Sequence, residues 1–324
     1  MIAAPLPTSL AVCGAQKTMQ AFGQAFLGEL PKHIQTLKIP GRLLADGTWR
    51  SPLPAQIEQG TAVQQALLDV LTDPVTQYAQ EQAELAFEAL FDIAAPRVGV
   101  LRFFNGWYET HKTTSLVSAK IIMRLAADAV SLPAAEQERY STVMAHMHEV
   151  AKDDFGLGHA GHDGMYTYMT DAFGARGWEA DKHAVEECNE FSLFLYNTGL
   201  KGHKAAMRSD EHIQSTMDAM MVSVASELWN GCEFNFAAQF IHQKLLSIDA
   251  SLADDPARLR NAKGFVMGHS SEVENRHGLH ALAAVQAFGR AVDLEFETDR
   301  LKEVMLDYNK RVGTAFRALY QVLN

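Results

Sequence analysis

Along almost every long segment of this chain, apolar side chains recur at three- and four-residue steps, as in Ala83, Ala86, Phe87, Leu90 and Phe91. That period stacks them on one face of an α-helix, and the alternation that builds a half-buried strand is scarce. The expected class is therefore all-α. Turn chemistry interrupts the pattern at Ala45-Asp46-Gly47-Thr48 with Pro52 and Pro54, at Ala95-Pro96, at Ser131-Leu132-Pro133, from Gly174 to Gly177, from Gly199 to Gly202, and at Ala253-Asp254-Asp255-Pro256. This punctuation predicts roughly eight to ten helices.

Residues 1–73 carry early helix breakers, among them Pro31, Pro40, Gly41, Pro52 and Pro54, and read as a loop-rich helical extension. It ends at Thr72-Asp73-Pro74, where Thr72 or Asp73 caps the next helix and Pro74 occupies its first turn, a position that needs no backbone N–H. Residues 74–324 form the main helical domain. With 324 residues, 48% of them hydrophobic, the chain can bury a sizeable core.

A net charge of -11 without any Lys or Arg run argues against nucleic-acid partners, whose phosphates need a concentrated basic face. Cys13, Cys188 and Cys232 are too few and too dispersed for a disulfide framework, which points to a reducing compartment. The start, Met1-Ile2-Ala3-Ala4-Pro5-Leu6-Pro7, lacks the basic and apolar regions of a secretory signal, and no stretch matches a membrane span. The expectation is a cytoplasmic protein with a small-molecule substrate.

Two segments about a hundred residues apart cluster carboxylates and histidines: 153–162, with Asp153, Asp154, His159 and His162, and 268–280, with His269, Glu272, Glu274, His277 and His280. Carboxylate oxygens and imidazole nitrogens together suit iron or manganese. Glu274 and His277 are three apart and share a helix face. If one helix runs from Phe103 to Val130 and a second from Ala134 to Asp153, the turn between them lies midway between Glu109 and Asp154, which should then meet. His162 follows on a segment with Met165, Tyr166 and Met169. A further carboxylate is expected from Glu233, which a turn centred near 249–256 places opposite His269, with Glu227 as the alternative. Glu149 and His159 form an alternative pair to Asp154 and His162. The aromatic cluster Phe103, Phe104, Trp107 and Tyr108 reads as core, as do Met217, Met220 and Met221. Arg276 either holds a substrate carboxylate or pairs with Glu272.

The run Asp153-Asp154-Phe155-Gly156-Leu157-Gly158, followed by His162 and Met165-Tyr166, resembles the Asp-Glu-x-Gly-x-Gly and His-x-x-hydrophobic-aromatic segments of the haem-oxygenase-like di-iron oxidases and oxygenases. Glu274-x-x-His277 resembles their last ligand helix. The resemblance covers roughly Phe103 to Phe288. It implies a haem-oxygenase-like helical bundle with two Fe(II) ions held by Glu109, Asp154, His162, Glu233, His269, Glu274 and His277, and O2 as co-substrate. Glu109, Asp154 and Glu233 take the catalytic carboxylate roles in that picture. The family has Glu where Asp154 stands and spaces its last set His-x3-Asp-x2-His, so His269 lies one residue too far from Glu274; a π-bulge would restore the facing. The implied chemistry is N-oxygenation, desaturation or C–C cleavage of a small amino-acid-like or fatty-acid-like substrate, often within natural-product biosynthesis. Such a fold is compatible with a homodimer. Two other readings keep the helices and change the function: a cofactorless or mononuclear enzyme of the same fold, and a helical interaction module.

Overall fold

The computed structural model describes residues 16–43, 47–93, 97–152, 162–198 and 205–324, apart from the side chains of residues 42, 162 and 163. Among these residues there are twelve α-helices, two short 3-10 turns and four two-residue strands. The all-α expectation holds, with more and shorter helices than the turn signals predict.

Helix α1 (Met19–Thr36) begins at Thr18, whose hydroxyl accepts from the Ala21 N–H. Strands β1 (Lys38–Ile39), β2 (Arg42–Leu43), β3 (Trp49–Arg50) and β4 (Leu53–Pro54) make a small two-step antiparallel ribbon, β1 with β4 and β2 with β3. Helix α2 (Gly60–Thr72) then runs to Asp73, whose carboxylate accepts from the Val75 N–H and starts α3 (Pro74–Asp92), with Pro74 in the first turn as the sequence predicts. Residues on both sides of this boundary share one core: Met19, Phe26, Leu30 and Leu67 pack in the same cluster as Phe87, Phe236 and Phe316. The extension is also tied to the body by polar contacts. The Gln286 amide accepts from the Glu58 N–H at 2.8 Å and donates to its carbonyl at 3.0 Å, and Arg290 pairs with the Glu58 carboxylate.

The single helix expected from Phe103 to Val130 is two. Helix α4 (Val98–His111) ends at Lys112, and α5 (Thr114–Ala129) starts afresh after Thr113, whose hydroxyl donates to the Ser192 carbonyl. Helix α5 still forms the expected hairpin with α6 (Ala134–Ala151). Helix α4, however, packs mainly on α12 and α8. Counting residues across the hairpin therefore fails for Glu109, because its helix has already left that plane.

Helix α7 (His162–Ala172) and α8 (Glu186–Asn197), with a 3-10 turn at Asp181–His183 between them, lead to α9 (Asp210–Ile248). Its 39 residues span about 58 Å. The middle of α9 is buried nearly all round, as expected of a central helix. Helices α10 (Pro256–His269), α11 (Val273–Val292) and α12 (Thr298–Leu323) complete the bundle, with α11 and α12 both packed on α9. At two glycines the α9–α11 crossing is too close for a side chain. A Cβ on Gly278 would lie 2.7 Å from Leu228 Cδ2, and one on Gly231 would lie 2.5 Å from Asn275 Oδ1. Among the described residues no helix is long and apolar enough to cross a membrane.

Candidate metal centre

The close crossing of α9 and α11 brings Glu227, Glu274 and His277 together, each with a ligand atom within 4.8 Å of the others. Glu274 and His277 are one turn apart on α11, as their spacing predicts, and Glu227 reaches them from α9 beside Gly278. His277 Nδ1 lies 3.6 Å from Glu227 Oε2 and 3.6 Å from Glu274 Oε2. All three residues are almost wholly buried, at 3%, 2% and 2% exposure for Glu227, Glu274 and His277. The other Glu274 oxygen, Oε1, is buried without a hydrogen-bond partner among the described residues.

Burying two carboxylates side by side is costly unless protons or a cation compensate them. Burial, and after it the neighbouring Glu274 charge, pushes the Glu227 carboxyl well up. At Glu274 burial also raises the carboxyl, but the hydrogen bond to His277 and the nearby His269 ring outweigh it and hold it down. Of the two carboxyls, Glu227 is the one burial and its neighbour favour as the protonated partner, and Glu274 the one held toward its charged form. The donor set also fits a cation: ligand atoms bound to one first-row ion at about 2.1 Å lie roughly 3.0–4.2 Å apart, and the two 3.6 Å separations fall inside that range. Two oxygen donors and one imidazole suit iron, manganese or zinc, and Glu274 Oε1 is an acceptor awaiting a charge.

Of the two α9 carboxylates, it is Glu227 rather than Glu233 that meets α11. The turn at 249–256 brings α10 back along α9 as expected, with the Phe234 ring, next to Glu233, 4.9 Å from the His269 ring, but Glu274 and His277 belong to α11, a separate helix beyond the Ser271 break. Glu233 points to α4 and lies in a cage of donors. Its Oε1 accepts from Trp107 Nε1 at 2.7 Å and His111 Nε2 at 2.9 Å, and its Oε2 accepts from Trp229 Nε1 at 2.6 Å. Trp229 one turn before Glu233 was the local signal for this cage; Trp107 and His111 come from 126 and 122 residues away.

Glu109 lies on α4 away from the cluster, with its carboxylate 2.6 Å from Lys112 Nζ and facing a surface cavity. His269 is the last residue of α10, buried against Phe234 at 4.9 Å between ring centroids, and its Nδ1 bonds to the Phe265 carbonyl. No π-bulge joins it to Glu274. The helix stops, Ser271 turns at a φ of 69°, and α11 begins two residues later. Asn235 holds this break, accepting from the Ser271 N–H at 2.8 Å and donating to its carbonyl at 3.0 Å. Asp154 and His159 lie outside the described residues, as does the His162 side chain, although its backbone opens α7. Glu149 pairs with Lys152 at 2.6 Å.

One turn past His277, His280 faces His146 of α6, with the two Nδ1 atoms 3.0 Å apart. Burial lowers both rings, His146 to about 4 and His280, which also feels His146 and His277, to about 3, so the pair is neutral. Arg276 is exposed and stands on the outer face of α11. Phe103, Phe104 and Trp107 are buried in the core, as are Met217, Met220 and Met221.

No protein-family model, curated protein or solved structure matches this chain. Fold and site together define a helical bundle with a buried carboxylate–histidine cluster able to hold a metal ion.

Proposed function

We propose that the protein is a non-haem iron, O2-dependent oxidase or oxygenase of the haem-oxygenase-like helical type, acting on a small amino-acid-like or fatty-acid-like molecule. The observation that carries this reading is the convergence of Glu227, Glu274 and His277 in the core, with one Glu274 oxygen unpartnered. A stability role alone does not account for two adjacent buried carboxylates, because replacing such a group with apolar residues is usually neutral or favourable. Iron held there would supply the one-electron chemistry that reaction with O2 requires.

The chain's own residues do the rest. Glu274 and His277 present two donors from one helical turn, Glu227 holds or releases a proton beside them, and the close α9–α11 crossing keeps all three side chains buried. In a two-iron form, the sequence resemblance implies Asp154, His162 and His269 as further ligands. The reading leaves Glu233 in its donor cage and Glu109 with Lys112.

Anaerobic titration of the metal-free protein with Fe(II) tests it, comparing wild type with His277→Ala and following bound iron and O2 uptake. Stoichiometric iron in wild type, lost in the variant, with O2 consumed only by the loaded protein, is the expected result. Iron that fails to bind wild type specifically would sink the proposal and leave a cofactorless enzyme of the same fold or the helical interaction module as the surviving readings.

A further inference from the structure

Where α1 and α2 of the extension dock on the main bundle, a cavity of about 60 Å³ lies between them and α3, α9, α11 and α12. Its lining residues are buried apart from Leu228 and Asn275, which are half-buried and mark its mouth at the α9–α11 crossing. A single water needs about 10–15 Å³ and benzene occupies a cavity of about 150 Å³, so the space suits a molecule of about three or four heavy atoms. We propose that this cavity binds a small neutral aliphatic alcohol, at a site separate from the carboxylate–histidine cluster.

Three observations support the ligand class. The first is a buried acceptor. Gln80 lines the cavity at 4% exposure, and its Oε1 is buried without a hydrogen-bond partner among the described residues. A dry, unpaired amide oxygen carries the full cost of its lost hydration and calls for an O–H or N–H donor. A donor stands beside it. Thr76 lies one turn earlier on the same face of α3 and lines the same cavity. Its hydroxyl oxygen accepts from Asn309 Nδ2 at 2.8 Å, and the hydroxyl donates in no hydrogen bond among the described residues. A ligand hydroxyl both donates and accepts, so one such group can serve Gln80 and Thr76 together.

The second is charge. Among the described residues no acidic, basic or histidine side chain lines the cavity, and burial pushes the Cys232 thiol in its wall up to about 12, so the lining is neutral. An ammonium or carboxylate ligand would give up its hydration there with no opposite charge to replace it. The third is the apolar part of the wall. Phe26, Leu67, Val70, Leu71 and Met305 enclose the space around the two polar groups. Water would leave these side chains without close contacts, and a hydrocarbon would leave Gln80 unpaired. A short alcohol meets both kinds of surface.

The test is NMR titration of the purified full chain with 2-propanol, acetone and cyclohexanol, following the methyl signals of Leu67, Val70 and Met305. 2-Propanol should saturate these signals with a Kd in about the millimolar range. Acetone has nearly the same shape but no donor, and should bind at least about fivefold more weakly, the scale of one hydrogen bond. Cyclohexanol is too large for the space and should not saturate. Gln80→Leu removes the acceptor with little change of volume; it should keep the wild-type circular dichroism, bind 2-propanol at least about fivefold more weakly and lose the preference over acetone. The comparison of 2-propanol with acetone is made on the wild-type chain and stands even if the variant fails to fold. Equal affinity for 2-propanol and acetone, no saturation by 2-propanol because the cavity takes up water only, saturation by cyclohexanol, or wild-type affinity in folded Gln80→Leu would overturn the assignment. The iron titration is read on different residues, so either proposal can fail without the other.

Discussion

Replacing Glu233 with Gln tests whether this fully buried side chain is held as a carboxylate by three N–H donors. A glutamine of the same shape keeps one oxygen, which can still accept from Trp107 and His111, but now as a neutral acceptor. Hydrogen bonds to charged groups contribute about 1.5–3 kcal/mol and neutral ones about 1, so the downgrade of two bonds costs about 2 kcal/mol. The glutamine nitrogen then faces the Trp229 N–H, donor against donor, and a lost bond with an orphaned buried donor costs about another 2 kcal/mol. The sum is about 4 kcal/mol. With an unfolding entropy of about 2.1 cal/mol/K per residue, a chain this long loses about 6 °C in Tm. Differential scanning calorimetry on the metal-free protein measures this, and near-ultraviolet circular dichroism should report altered packing of Trp107 and Trp229. A loss under about 1 kcal/mol, with unchanged aromatic signals, would refute the cage and return Glu233 to the pool of free carboxylates.

Stability should fall with acid because His146 is buried neutral with its ring lowered to about 4. Above the unfolded value near 6.5 neither state binds the proton; between about 6.5 and 4 the unfolded chain takes it up first, so up to about 3 kcal/mol is lost as pH falls through that window. Urea denaturation of wild type and His146→Phe at pH 7 and pH 4.5 should show a smaller acid loss in the variant; equal losses would exclude the histidine pair as a cause. Asn235→Ala removes both hydrogen bonds that hold the Ser271 break and should cost about 2 kcal/mol, with a weaker iron affinity because α11 loses its fixed starting point; unchanged stability and affinity would show that the break holds itself. Gly313→Ala places a Cβ 2.7 Å from Ala79 Cβ and 2.9 Å from its Cα, where α12 crosses α3. With backbone rather than a flexible side-chain end in the way, thermal unfolding should show a loss of about 1–3 kcal/mol, and a neutral result would mean the two helices can part without penalty.

The sequence alone determined what depends on near neighbours. Helical period gave the all-α class, Asp73 and Pro74 marked a real helix start, and the three-residue spacing of Glu274 and His277 put both on one turn of α11. It favoured Glu233 as the further carboxylate, by counting across the 249–256 turn, and kept Glu227 as the alternative. Tertiary structure made that choice, because two residues six apart on α9 point in different directions and only packing says which direction meets α11 and which meets α4. The same applies to the breaks at Lys112-Thr113 and Ser270-Ser271. They carry neither proline nor glycine, and each is held by a side chain or carbonyl remote in sequence, Ser192 in one case and Asn235 in the other. Once the Lys112-Thr113 break turns α4 out of the expected hairpin, distances counted along the chain lose their meaning there, and Glu109 faces an aromatic-walled cavity away from the buried cluster. Local periodicity fixes which face of a helix is apolar; which partner that face meets is set by contacts formed over a hundred residues away.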